Sequence, residues 1–115
     1  MFFDQAATRL RAPIVRDRHG NRARNWAAAE RTPIVGVSIQ PFSQAEAADP
    51  GARDRLTTGW RMQTPPGRDL DLDATDRVEL ADGAACGVLG EVARHQDPFG
   101  RGVHHVEVAL VRTTG

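Results

Sequence analysis

The sequence predicts an all-β domain: a small antiparallel β-barrel or two-sheet sandwich of six to seven strands with one long loop. Three observations predict it. Apolar and polar residues alternate in Leu56–Met62 and Val103–Arg112, the period of a half-buried strand. Turn-forming clusters separate these runs, among them Asp82-Gly83 and Asp97-Pro98-Phe99-Gly100. No stretch keeps a helical period long enough for a substantial helix. At 115 residues the chain suits one domain, 1–115, with a modest core.

The elements follow in order. Thr8–Val15 reads as a first strand whose end Pro13 weakens. Arg16-Asp17-Arg18-His19-Gly20-Asn21 is a turn, and Asn25-Trp26 begins a short returning strand. Ala27–Glu30 has room for one helical turn before Pro33. Pro33–Gln40 is a strong strand, with Val35, Val37 and Ile39 on one face and Pro41 as its end. Ser43–Arg55 contains no large hydrophobe and reads as the long loop. Within it, Ser43 is placed to cap a short helix over Gln44–Ala48, broken by Asp49-Pro50-Gly51. Leu56–Met62 resumes as a strand, and Pro65-Pro66-Gly67 turns the chain. Asp76–Ala81 and Cys86–Ala93 form a hairpin around Asp82-Gly83, with Gly87 and Gly90 marking a bend or bulge. Val103–Arg112 closes the sheet, with Val106, Val108 and Leu110 inward and His105, Glu107 and Ala109 outward.

Charge is balanced overall but not along the chain. All fifteen basic residues are arginine, a composition that points to a GC-rich genome. Residues 1–31 hold seven arginines against Asp4, Asp17 and Glu30, a net +4. Residues 69–93 hold Arg77 against seven acids, a net −6. Two explanations fit: a head-to-tail contact between subunits, or adjacent strands that neutralise each other within one subunit. The basic cluster is Arg9, Arg11, Arg16, Arg18, Arg22 and Arg24, with Trp26 nearby. A basic rim of this kind suits phosphate contacts rather than base readout. No apolar run approaches a membrane span. Met1-Phe2-Phe3-Asp4 lacks the basic and apolar regions of a secretory signal, so cytosolic synthesis is expected.

Catalytic and metal patterns are weak. Cys86, the single cysteine, permits no intrachain disulfide and reads as a small buried residue. Asp69-Leu70-Asp71-Leu72-Asp73 resembles the start of a calcium loop, but Ala74 and Leu80 stand where that loop needs Gly and Glu. It reads as a solvated acidic loop. His104 and His105, being adjacent on a strand, point to opposite faces. With no Glu or Cys at a rescuing spacing, they and His95 read as ordinary hairpin histidines. A Ser43, His19 and Asp54 triad has no nucleophile elbow to support it. Without lysine there is no P-loop. The expectation is therefore no catalytic residues, no metal and no cofactor.

Taken in order, these segments resemble the head-closure family of tailed phages, also called head-tail connector or head-to-tail stopper proteins. The resemblance rests on the Arg11–Val15 strand, Arg16-Asp17 to Gly20-Asn21, and Trp26. It continues through Val37-Ser38-Ile39-Gln40-Pro41 with Ser43 and Glu46, and Thr58-Gly59-Trp60-Arg61-Met62. Asp76-Arg77-Val78-Glu79, Gly83, Gly90-Glu91-Val92 and His104-His105-Val106-Glu107-Val108 complete it. The second half looks like connectors of phages of actinobacteria. The resemblance implies a structural virion protein, not an enzyme, forming a homo-oligomeric ring in the phage neck. A dodecamer is the family's expectation, while the sequence sets no copy number. A portal or adaptor protein would sit above, a tail-completion or tail-tube protein below, and packaged double-stranded DNA in the channel, with no membrane. It also implies that the long loop faces the channel or a neighbour, through Ser43, Gln44, Glu46, Asp49, Arg53 and Arg55. Two alternatives stand beside it: an OB-like single-strand nucleic-acid binder, and a tail-completion ring protein.

Overall fold

A computed structural model describes residues 2–46 and 55–113. Eight strands follow one another: β1 (Gln5–Arg11), β2 (Ile14–Arg16), β3 (Arg22–Arg24), β4 (Glu30–Glu46), β5 (Arg55–Gln63), β6 (Arg77–Leu80), β7 (Ala85–Gln96) and β8 (Val103–Arg112). Six of them close an antiparallel barrel in the order β1-β4-β5-β8-β7-β6, with β6 returning to β1. The expected small all-β barrel is the fold. β2 and β3 form a separate two-stranded hairpin. Among the described residues, the helical content is one 3-10 turn, Trp26–Ala28, and no helix is long and apolar enough to cross a membrane.

Period-two patterning fills the barrel. Val37, Met62, Leu72, Val78, Cys86, Val108 and Leu110 are buried together with Ala7, Ile34 and Leu80. Every barrel strand gives residues to this interior, and the alternation is cleanest in β8, where Val106, Val108 and Leu110 are inward. Cys86 is fully enclosed, and burial pushes its thiol pKa up, so the thiolate is disfavoured.

β4 is the strand that shapes the molecule. Its first half pairs with β1 from Glu30 to Val37, and its second half pairs with β5 from Ser38 to Glu46. The corner between the halves is a bulge at Gly36. Gln5 pairs with Val37 and Ala6 with Val35, so Gly36 is the extra residue, at φ +67°. Arg68 caps the bulge by donating through Nη1 to the carbonyls of Val35 and Gly36.

The bulge corrects the expected face. Ile34, Val37 and partly buried Ile39 turn inward, while Val35 is 60% exposed. An unbroken alternation of Val35, Val37 and Ile39 fails because one inserted residue reverses every side chain before it. Pro41 is not a strand end either; it pairs with Trp60 inside β4. Past Val37 only β5 flanks β4, so a proline nitrogen on the open edge costs no ladder hydrogen bond.

Other boundaries shift for similar reasons. The Thr8–Val15 expectation divides into β1 and β2 at Ala12-Pro13. Trp26 begins the 3-10 turn instead of a strand. A helix over Gln44–Ala48 is excluded as far as Glu46, because Ser43–Glu46 is strand paired with Arg55–Thr58. The bulge expected in the sixth expected strand is present in β7, where the register jumps between Leu89 and Ala93. The Cα radius of gyration, 16.4 Å, exceeds the ~13 Å of a compact chain this long.

Candidate functional site

Three features outside the core carry chemistry or offer contacts: a two-stranded arm, an arginine-rich hairpin, and a charge clamp. The arm is the outer part of β4 and β5. β5 pairs with β8 only from Gly59 to Gln63, yet it pairs with β4 from Arg55 onward. Beyond Gly59 the two strands therefore continue with only each other as partners. Ser43, Gln44, Glu46 and Arg55, expected in a loop, are strand residues of this arm. Asp49 and Arg53 lie outside the described residues.

Gly59 sits at the branch point. A Cβ there would stand 2.1 Å from the carbonyl oxygen of Leu110 and 3.3 Å from the Phe42 ring. Only glycine lets β5 run this close to β8 before the strands part. The Thr58-Gly59-Trp60 sequence carries that signal, since an isolated glycine in a strand marks close backbone approach.

The six arginines of the basic cluster separate into two groups. Arg9 is 5% exposed and engaged through both terminal nitrogens: Nη1 donates to the Asp71 carbonyl (3.1 Å) and Oδ2 (2.8 Å), and Nη2 to Glu30 Oε1 (2.8 Å) and Thr32 Oγ1 (3.0 Å), while the buried Nε has no partner. Arg11 binds Asp76 through two nitrogens, Nε to Oδ1 (3.0 Å) and Nη2 to Oδ2 (2.8 Å), and also reaches Asp71. Both side chains lie on one face of β1, which the i, i+2 spacing dictates.

This clamp neutralises part of the charge asymmetry within one chain, pairing Arg9 and Arg11 with acids of the 69–93 segment. Hydrogen bonding from Arg11, with its charge and that of Arg9, holds the Asp71 carboxyl below the usual carboxylate range. Burial alone would push Asp76 up. Bonds from Arg11 and the Asp73 amide, with the nearby guanidinium charges, bring it below its ordinary value instead. The Arg11 guanidinium is correspondingly harder to deprotonate. Arg31 pairs with Glu79 at 2.7 Å, adding a further link.

The Asp69–Asp73 segment is thus not simply a solvated loop. Leu72 is fully buried in the core and Leu70 packs against it, while Asp69, Asp71 and Asp73, which alternate with them, face out. Arg94 donates to the carbonyls of Leu70 (3.0 Å) and Leu72 (2.8 Å), fastening the segment from the β7 side. The Asp-Leu alternation was the available signal for this.

Arg16, Arg18, Arg22 and Arg24 occupy the β2–β3 hairpin, outside the barrel sheet. Ile14 pairs with Arg24 and Arg16 with Arg22, and every residue of both strands except Arg24 is exposed. Asp17 shapes the turn by accepting from the amides of His19 (2.8 Å) and Asn21 (2.9 Å). Among the described residues, none of these four arginines has a carboxylate within ion-pair distance. Arg24 donates to the Ala12 carbonyl at 3.2 Å. Residues 13–25 carry four arginines against Asp17, a net +3.

Trp26 lies beneath Arg77, whose guanidinium carbon is 4.0 Å from the ring centroid. A shallow groove beside the β1–β6 seam is lined by Gln5, Ile39, Pro41, Trp60, Leu80 and Asp82. It gathers apolar surface with one carboxylate and no second titratable side chain.

The histidines behave differently from their expected isolation. His95 pairs with His105 across the β7–β8 ladder, and Glu107, two residues on, shares that face. The missed signal was the i, i+2 relation of His105 and Glu107. Comparison with family models, curated proteins and solved structures yields no match.

Proposed function

We propose that this chain is a structural subunit of a tailed-phage neck, a head-completion stopper ring between the portal or adaptor and the tail. Its family resemblance supplies the starting point, and the β4–β5 arm is the observation that carries the reading. A closed barrel leaves free sheet edges only where strands run past it, so contacts with neighbours fall to projections such as the arm and to side surfaces. The arm is a projection built from the segment that, in the resembling family, faces the channel. An interior filled by aliphatic side chains and a groove without converging titratable groups suit a scaffold role.

The arginine hairpin supports the same reading. Ring closure needs complementary heterologous surfaces on each subunit. After internal pairing, the hairpin retains exposed positive charge, while Asp82 and Glu91 remain exposed and acidic. The hairpin is suited either to such a neighbour or to the phosphates of packaged DNA. A tail-completion ring would use the same parts at a different level of the neck.

Mixing the purified chain with portal–adaptor rings or with tail tubes tests the proposal. Capture by portal–adaptor rings, with annular particles in electron micrographs, is expected. Capture by tail tubes alone would move the protein to the tail-completion level. Absence from both overturns the neck reading.

One observation favours a second reading, an OB-like single-strand binder: the exposed arginine hairpin beside a tryptophan. Against it, Arg77 covers a face of Trp26 that a base would need for stacking. Titration with labelled single-stranded DNA separates the two. Micromolar affinity with a steep salt dependence would favour the binder.

A further inference from the structure

Three of the four histidines lie on β7 and β8, near the turn that joins them. β5 contributes its last pair to β8 at Glu107, so the end of this hairpin runs past the barrel sheet. Ala93 pairs with Glu107, and His95 pairs with His105. Strand alternation sets these four residues on one face, opposite buried Val106 and Val108. The small Ala93 leaves space beside the carboxylate.

The side chains converge there. The imidazoles of His95 and His105 stack with centroids 4.4 Å apart and planes 10° from parallel. His105 Nε2 is 3.3 Å from Glu107 Oε1, and His95 Nε2 is 3.9 Å from Glu107 Oε2. One ligand atom from each residue lies within 4.8 Å of the others. We propose that His95, His105 and Glu107 form a binding site for a divalent transition metal of the zinc class, with solvent completing the coordination.

The donor set selects the ion. Two imidazole nitrogens and one carboxylate oxygen suit Zn²⁺, and also Co²⁺, Ni²⁺ and Cu²⁺. Calcium and magnesium need more oxygen ligands than one carboxylate supplies. A tetrahedral ion bound at ~2.0–2.1 Å places its donors about 3.3 Å apart. Of the three donor separations, His105 to Glu107 already has that value, His95 to Glu107 is 3.9 Å, and all lie within 4.8 Å, so binding draws the donors together and turns the stacked rings toward a common point. His95 and Glu107 are partly exposed, so small rotamer changes meet little packing resistance.

His104 supplies the outer layer. Its Nδ1 lies 2.8 Å from Nδ1 of His105. A proton on His105 Nδ1, donated to His104, leaves His105 Nε2 with its lone pair toward the ion. Metal-bound histidines are ordinarily oriented by such a partner on the other nitrogen. A bound ion joins β7 to β8 just before the Asp97–Gly100 turn and stiffens the hairpin.

The test uses the full, untagged chain, stripped with a chelator and titrated at pH 7.5 with zinc chloride by calorimetry and with cobalt chloride by visible absorption. One equivalent of zinc, micromolar or tighter, and the absorption of a low-symmetry cobalt site are expected. His95→Gln, His105→Gln and Glu107→Gln should each weaken zinc about tenfold or more. His19→Gln, in the β2–β3 hairpin, should leave affinity unchanged. Zinc should raise the melting temperature of the native chain clearly more than that of His95→Gln at the same zinc concentration. Melting without metal confirms that each variant is folded. No saturable binding to the native chain, or full affinity in a folded His95→Gln/His105→Gln double variant, overturns the site.

Discussion

Arg11 and Asp76 differ sharply in their access to water: the Asp76 side chain is 1% exposed and that of Arg11 is 32%. Removing the carboxylate charge strands little on the arginine side but leaves the Asp73 amide and a buried polar pocket poorly satisfied. Asp76→Ala should cost about 3 kcal/mol in a urea melt, the low end for breaking a buried pair, because Arg11 can turn to solvent. Asp71 and Asp76 both have folded-state pKa values below their ordinary range. Their stabilisation is therefore complete above the unfolded carboxylate value, about 4, and is lost as pH falls through the lower folded values. Denaturation midpoints measured from pH 6 to pH 2 should fall mainly below pH 4, and Asp76→Asn should flatten that fall. Gly59→Ala is expected to lose about 2–3 kcal/mol or to prevent folding, since its Cβ meets backbone and not a movable side chain. Chemical melts measure the difference, with Gly87→Ala as the contrast, since a Cβ there meets only the Thr113 methyl at 3.4 Å. From sequence, the opposed charge of the two segments was legible at this scale, but the partners were not. Arg9 meets Asp71 across sixty-two positions, a distance that no local pattern encodes.

Strands announced themselves where one face is buried throughout. β8 matches its expected limits and inward residues because Val106, Val108 and Leu110 alternate without interruption. β4 was harder to read for two physical reasons. Its bulge at Gly36 breaks the period, and beyond Val37 its open edge accepts a proline that would end a central strand. The arm was invisible for a third reason: strands outside a core need no apolar alternation, and Ser43–Arg55 has none. Its local pairing suggests an independent element. Replacing residues 44–57 with Asn-Gly, a two-residue hairpin turn, should leave the melting temperature within about 3 °C of the native chain. Under the proposed neck function, the same variant should no longer be captured by portal–adaptor rings. A large drop in melting temperature would show that the arm supports the barrel.

At the scale of the molecule, internal pairing consumes much of the charge that the linear sequence displays as two opposed blocks. What remains positive is concentrated on a hairpin that contributes nothing to barrel closure. Arg16→Glu/Arg22→Glu should therefore melt like the native chain while weakening capture by portal–adaptor rings, as read by pull-down at two salt concentrations. Barrel closure itself has a consequence for biosynthesis. β1 precedes the other barrel strands in the chain and borders both β4 and β6. At about 5–20 residues per second, the ribosome needs roughly 4–14 s to go from the end of β1 to the end of β6. During that interval the β6-facing edge of β1 stays bare, an unpaired strand edge open to chaperones and to mispairing between neighbouring nascent chains.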